Sequence, residues 1–259
     1  MNYKAVILDI DGTIVPHGKT ISTATKEAIQ RLKDRNMEVV IATGRAPYFS
    51  TSVIEETGVS SMVFFNGSYV YHEGKELFQN AIDKSILKRV HQLSGDFQHP
   101  LTYLSGTGFK ATDLNHPFVV EAYSHDPWKP ELAPPSYYME QDIYQLFLHC
   151  NLEEEIHYKA QVPELDFRRW SSGAKTCDVN LTNSNKAVGI TKLLDRLGIA
   201  PDEAVAFGDG INDIEMLSLV GMGVAMGAAS DELKQAANMV TLSAEDDGVV
   251  YGLEKLGLI

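Results

Sequence analysis

At 259 residues, with 44% hydrophobic and 22% charged residues, the chain has the composition of a soluble globular protein long enough to bury a sizeable core. Its formal net charge of -13 repels nucleic acid and anionic membrane surfaces, which excludes both as expected partners. No apolar run approaches the length of a membrane span, and no basic segment leads into an apolar stretch and cleavage site, so the expected location is cytoplasmic. Cys150 and Cys177 read as free buried thiols rather than as a disulfide framework.

Ala5 to Leu8 is a short continuous apolar run, suited to a strand covered on both faces within a parallel sheet. Asp9 stands at its carboxyl end, where open α/β sheets bind their ligands; Asp11 follows, and Gly12 permits a sharp turn. Neighbouring carboxylates repel unless a cation lies between them, and Mg²⁺, which prefers oxygen ligands, suits that position. One carboxylate could attack phosphorus while the other moves protons. The pair alone also fits a strand ending in an acidic turn. His17, in the loop that follows, reads as an exposed residue with no partner at metal spacing. A helix capped by Ser22 or Thr23 is expected to run to about Asn36, and Met37–Ala42 to form the second strand. Thr43, Gly44 and Arg45 follow, ahead of a helix expected over Ala46–Thr57. A hydroxyl and free backbone N–H groups at a helix start suit a phosphate, although Thr43 could equally be a cap. Met62–Phe65 is the third strand, ended by Asn66 and Gly67, and Tyr69–Tyr71 with Glu76–Phe78 reads as a hairpin. This alternation implies a parallel sheet with right-handed crossovers.

From about Asp83 the pattern changes. Helices are expected over Ser85–Leu93, His116–Tyr123 and Glu153–Pro163. Strands are expected at Leu101–Leu104, Phe109–Thr112, Ile143–Cys150, Phe167–Trp170 and Thr176–Leu181, with a proline-marked loop from Pro127 to Pro135. Trp128, Trp170, Tyr123, Tyr137 and Tyr138 could face a substrate, but aromatic residues of a small module more often make its core. A helix over Asn185–Leu197 then restores the first pattern. Near its start Lys186 could supply a point charge for phosphate, or be a solvated first-turn lysine. The run Ala204–Phe207 ends in Gly208, Asp209, Gly210, Asn212 and Asp213, so carboxylates again stand just past a strand. A helix over Ile211–Leu219, strands at Gly223–Met226 and Val240–Leu242 and a last helix complete the layer. The fold class is therefore α/β, with a parallel-sheet core from residues 1–82 and 184–259 and an inserted α+β module at 83–183.

The ordered set DIDGT at Asp9–Thr13, ATGR at Ala42–Arg45, Asn66 with Gly67, Lys186 and GDGIND at Gly208–Asp213 resembles the haloacid dehalogenase (HAD) superfamily of phosphotransferases, in its Cof-type sugar-phosphatase-like branch. Two departures are Ala187 after the lysine, where glycine is common, and Ala228 after AMG, where asparagine is common. The resemblance implies a Rossmann-like core and a C2B-type cap that shuts water from the site. It implies a phosphatase acting on small phosphomonoesters, sugar phosphates or phosphorylated cofactors, through an aspartyl-phosphate. Asp9 would be the nucleophile and Asp11 the acid and base. Mg²⁺ would be held by Asp9, Asp209, the main-chain carbonyl of Asp11 and Asp213, and the phosphate by Thr43, Gly44, Lys186 and Asn212. The expected partner is a small phosphorylated metabolite, and the expected assembly a monomer or weak homodimer. A phosphomutase of the same superfamily and a non-catalytic phosphate or metal sensor are the alternatives.

Overall fold

The computed structural model describes residues 3–124, 127–171 and 173–259. In chain order the elements are β1 (Ala5–Leu8), α1 (Thr23–Asp34), β2 (Glu38–Ala42), α2 (Thr51–Thr57), β3 (Ser61–Phe64), β4 (Tyr69–His72) and β5 (Lys75–Gln79). There follow α3 (Lys84–Phe97), β6 (Leu101–Ser105), β7 (Phe109–Ala111), α4 (Pro117–Ala122), β8 (Glu131–Leu132), α5 (Tyr137–Glu140), β9 (Ile143–His149), α6 (Glu155–Gln161), β10 (Leu165–Arg169) and β11 (Thr176–Leu181). The chain closes with α7 (Lys186–Leu197), β12 (Ala204–Gly208), α8 (Ile214–Leu219), β13 (Met222–Ala225), α9 (Asp231–Ala236), β14 (Met239–Val240) and α10 (Gly248–Lys255).

These elements form two compact units. One runs up to Arg45 and adds Ser50–Gln79 and Asn185–Ile259; the other is Ala46–Phe49 with Asn80–Ser184. The first holds an eight-stranded sheet in the order β14-β13-β12-β1-β2-β3-β4-β5, parallel except for the antiparallel pairings of β3 with β4 and of β4 with β5. The chain winds outward from β1 through β2 to β5, then returns on the other side at β12. The order therefore reverses between β1 and β12, the switch point beyond whose strand carboxyl ends open α/β sheets bind their ligands. Leu8 is in register with Phe207, so Asp9 and Gly208 leave the sheet side by side. Every residue of β1 and β12 is buried, as a two-faced parallel sheet requires.

The helices that carry site residues have clear local causes. Asn185 caps α7, its side chain accepting from the Val188 N–H at 3.0 Å, and Gly198 ends the helix in a left-handed turn at φ 67°. Ile190, Leu193 and Leu194 pack the helix onto the sheet beside Ala5, Ile7 and Ala206. The start of α7 also lies against the turn after β3. A Cβ on Gly67, at φ +98°, would stand 1.9 Å from the Asn185 carbonyl oxygen, and one on Gly189 would stand 2.6 Å from Val63.

The second unit holds a six-stranded sheet, β10-β11-β9-β6-β7-β8, with Tyr103, Leu146, Leu148, Tyr158, Phe167 and Val179 in its core. Tyr123 and Tyr137 are buried and Tyr138 packs on that core, whereas Trp128 and Trp170 are exposed. The core reading of the aromatics therefore holds for the tyrosines and fails for the tryptophans. Trp170 uses its polar edge instead, donating from Nε1 to Asp178 at 2.6 Å. Both cysteines are free and buried.

Two expected helices are cut short. In place of one helix over Ala46–Thr57, a 3-10 turn at Pro47–Phe49 precedes α2. The turn is held by its aromatic rings: Tyr48 stacks on Phe109 at 5.5 Å and Phe49 meets the same ring edge-on at 4.9 Å, a long-range contact that outweighs local propensity. Likewise Ile211–Asp213 is a 3-10 turn and α8 starts only at Ile214, because the Asp213 side chain folds back onto the backbone before it.

Gly67→Ala is expected to destabilise the protein by on the order of 2 kcal/mol, since a Cβ there meets backbone rather than a flexible side chain. It should also disturb the helix start that carries Lys186. Urea unfolding with a phosphatase assay on the same sample checks both, and wild-type stability would refute the close approach.

Candidate active site

Asp9 follows β1 directly, and its N–H donates to the Phe207 carbonyl at 3.1 Å, tying it to the neighbouring strand. Its side chain is buried. Lys186, the first residue of α7, reaches the same point with no exposed surface, and its Nζ lies 2.5 Å from Asp9 Oδ1 and 2.6 Å from Asp213 Oδ1. The solvated-lysine reading of this residue is therefore set aside.

The other carboxyl oxygen of Asp213 accepts two backbone N–H groups, from Asp209 and Gly210, each at 3.0 Å. Glycine at 208 is needed for this fold-back, because a Cβ there would lie 2.5 Å from the Asp213 carboxyl carbon. Asp209 projects beside it and takes a long hydrogen bond of 3.4 Å from the Thr13 hydroxyl. Gly12, at φ +76°, passes so close beneath that a Cβ would sit 2.0 Å from Asp209 Oδ2. Asp9, Asp209 and Asp213 each offer an oxygen within 4.8 Å of the others.

Asp11 lies apart from this cluster. Its carboxylate is held by the fork of Arg45, Nη2 to Oδ1 at 2.5 Å and Nε to Oδ2 at 2.8 Å, and its side chain keeps 54% of its surface in solvent. Thr43 is buried at the end of β2, where its hydroxyl accepts the Arg45 N–H at 3.0 Å and its N–H donates to Val63 O at 2.8 Å. Asn212 donates to Asn66 Oδ1 at 3.0 Å, and a Cβ on Gly44 would lie 3.1 Å from that oxygen. Asn66 holds φ 52°, which an asparagine tolerates, and its N–H donates to Thr43 O at 3.1 Å. The first unit thus assembles Asp9, Thr43, Gly44, Lys186, Asp209, Asn212 and Asp213, with Asp11 alongside in its own ion pair.

Three details were not read from the sequence. Arg45, next in sequence to the phosphate-binding candidates Thr43 and Gly44, grips Asp11. Thr13 is buried with its hydroxyl toward Asp209, and its sequence signal is a hydroxyl residue directly after the DIDG turn. His17 is exposed in the loop after β1 and lies near enough to Asp209 to act on it electrostatically.

Electrostatics of the cluster follow from burial. Burial raises the pKa of Asp9, Lys186 opposes that rise, and Asp213 adds to it. The Lys186 ammonium is held charged above its ordinary value, the two carboxylates outweighing the cost of its burial. Asp209 is moved from 3.8 up to about 6, by burial first and by Asp213 second. One ammonium faces three carboxylates, which leaves about two negative charges for a divalent cation to match. An all-oxygen donor set suits a hard cation such as Mg²⁺. Asp213 fits that role least, because Lys186 and two N–H groups already engage both its oxygens.

A haloacid dehalogenase-like hydrolase family model matches residues 6–253. The chain belongs to this family. It is 35% identical over its full length, and that of its relative, to the Bacillus subtilis protein named "Putative phosphatase YkrA". It is 29% identical to the 5-amino-6-(5-phospho-D-ribitylamino)uracil phosphatase YitU of Bacillus subtilis, over 96% of each chain. A solved HAD subclass IIB sugar phosphatase matches 99% of this chain and 100% of its own with a TM-score of 0.86 and 25% identity. This HAD chain is thus a hydrolase acting on small phosphoric monoesters, built on a parallel-sheet core. No described helix is long and apolar enough to cross a membrane.

Burial and Asp213 hold a proton on Asp209 to higher pH in the folded chain than in the unfolded one. The folded chain holds this proton between 3.8 and about 6, where the unfolded chain has released it, so the stability it contributes is present below about 4 and lost as pH rises through 6. In chelator, Asp209→Asn is therefore expected to be more stable than wild type at neutral pH, with the gain vanishing toward pH 4. Denaturant titration at several pH values checks this; a variant less stable than wild type at neutral pH contradicts it.

Proposed function

We propose that this hydrolase removes phosphate from a small phosphorylated metabolite, a sugar phosphate or a phosphorylated cofactor, in a Mg²⁺-dependent reaction that passes through an aspartyl-phosphate on Asp9. The observation that carries the reading is the placement of Asp9 at the sheet's switch point, one oxygen bound by buried Lys186 and the other without a hydrogen-bond donor among the described residues. That second oxygen is the one able to attack phosphorus in line, forming an O–P bond as the bond to the leaving alcohol breaks. Burial raises the pKa of Asp9 and Lys186 opposes that rise, so the buried ammonium favours the ionised, nucleophilic form of the carboxylate.

Asp11 gives a proton to the leaving oxygen and then takes one from the water that hydrolyses the acyl phosphate, restoring Asp9 and releasing phosphate. Thr43, Gly44 and Asn212 supply a hydroxyl, a backbone N–H and an amide to the phosphoryl oxygens, with Lys186 as the nearby positive charge. Mg²⁺ would be held by the Asp9 and Asp209 side chains and the Asp11 carbonyl, with Asp213 orienting the loop and lysine; when bound, the ion offsets phosphate charge against the carboxylates. The names of the relatives, one acting on a phosphorylated ribitylaminouracil and one on sugar phosphates, support a small polar phosphomonoester. The strong global negative charge supports the same limit, since it disfavours nucleic acid and anionic membrane. A monomer or weak homodimer would suffice, because all these residues come from one chain.

Phosphate release from a panel of small phosphomonoesters is expected to need Mg²⁺ and to stop in chelator. Asp9→Asn should remove turnover and phosphoenzyme together, and Asp11→Asn should slow turnover by roughly 10²–10⁴ with Mg²⁺ affinity largely kept. Full turnover in Asp9→Asn, or equal loss of metal affinity in Asp11→Asn, would overturn these roles. Transfer of phosphate to a second sugar hydroxyl instead of to water would point to a mutase.

A further inference from the structure

A second group of ligating side chains converges in the other unit, far in sequence from the catalytic motifs. Cys150 directly follows β9 with no exposed surface, Glu154 sits four residues on in the 3-10 turn at Leu152–Glu154, and His99 shortly precedes β6. Each offers an atom within 4.8 Å of the other two, and His99 Nε2 lies 3.3 Å from Glu154 Oε2. A tetrahedral zinc ion with bonds of about 2.0–2.3 Å sets its ligand atoms roughly 3.3–3.8 Å apart, so one edge of such a site is already formed.

We propose that His99, Cys150 and Glu154 form a zinc site, with water from the open side of Glu154 as the fourth ligand. The residues around them are arranged as a supporting shell. His99 Nδ1 lies 3.0 Å from the hydroxyl of fully buried Tyr158; donation of the ring N–H there leaves the Nε2 lone pair directed at the cation. The Asn151 N–H donates to Glu154 Oε2 at 2.7 Å, and the Asn151 amide oxygen is itself held by Lys175 at 2.9 Å. Arg169 grips the Cys150 carbonyl at 3.0 Å and places Nη2 3.8 Å from the sulfur, a donor that suits a thiolate. The charge of Arg169 is balanced separately by Glu155 at 2.5 Å, so it does not cancel the site. An ion pair joins His99 to Glu154, and the Cys150 thiol, which also meets the Cys177 side chain in the core, brings a sulfur ligand to the same point. One sulfur, one imidazole and one carboxylate select zinc or another borderline transition ion rather than Mg²⁺.

Cobalt distinguishes this site from the acidic cluster of the first unit, whose all-oxygen ligands give no thiolate-to-metal transition. Full-length protein stripped of metal by chelator and titrated with Co²⁺ is expected to develop a near-ultraviolet thiolate-to-cobalt charge-transfer band, which Zn²⁺ then abolishes. Cys150→Ser should lose the band. Glu154→Gln and His99→Gln, at positions outside the hydrophobic cluster of this unit, should weaken Co²⁺ binding about tenfold or more, and they decide the matter if the serine variant fails to fold. Absence of the band in wild type, its survival in Cys150→Ser, or unchanged affinity in both glutamine variants would overturn the proposal.

Discussion

The whole first unit depends on one buried ammonium shared between two buried carboxylates. A lysine with no exposed surface has exchanged all its water for Asp9 and Asp213, and such a charge persists only when paired and hydrogen-bonded. That requirement reaches back through the architecture. Lys186 must stand at the start of α7, so the helix must begin against the turn after β3, which is why Gly67 and Gly189 leave no room for a Cβ. Asp213 must fold under Gly208, so the helix after β12 is delayed by a 3-10 turn. Asp9 must leave the sheet beside Gly208, which the parallel pairing of β1 with β12 provides.

The same cluster explains how an acidic protein can recognise an anion. The net charge is -13, but interactions a few ångströms long in a buried crevice outweigh a distant, screened field. Within the crevice the balance is still negative, with three carboxylates against one lysine, and burial raises the pKa values of Asp9 and Asp209. The site is therefore costly to the folded state until a cation joins it, which is the usual tension between stability and a functional site.

What was legible in the sequence follows from how local the cause is. Continuous apolar runs ending in Asp9, Thr43 and Asp209 could be placed at strand ends because a two-faced strand needs no information from elsewhere. The helix expected from Ala46 was not legible in its true extent, because Tyr48 and Phe49 are held by Phe109, about sixty residues on. Asp213 was readable as an acid near a metal, but not as the acid whose oxygens are occupied by Lys186 and two N–H groups, since that depends on a turn set by Gly208. The tryptophans were misread by the rule that aromatics fill cores; Trp170 finds its partner in Asp178 at the surface.

The two aspartates of the first motif sit at opposite ends of a scale of restraint, and the proposed chemistry requires that difference. A nucleophile must hold one direction of attack, and Asp9 is fixed by a buried charge pair and a backbone bond to the neighbouring strand. A group that donates and then accepts a proton must change protonation state within a cycle, so a tight buried ion pair would oppose it. Asp11 is instead held by an Arg45 fork at the surface, where 54% of the Asp11 side chain stays in solvent and water screens the pair. That is enough to bias where the carboxylate rests and too little to forbid its leaving. Only Ile10 separates the fixed acid from the yielding one, and the left-handed turn at Gly12 between Asp11 and Thr13 lets the chain pass beneath Asp209 after serving both.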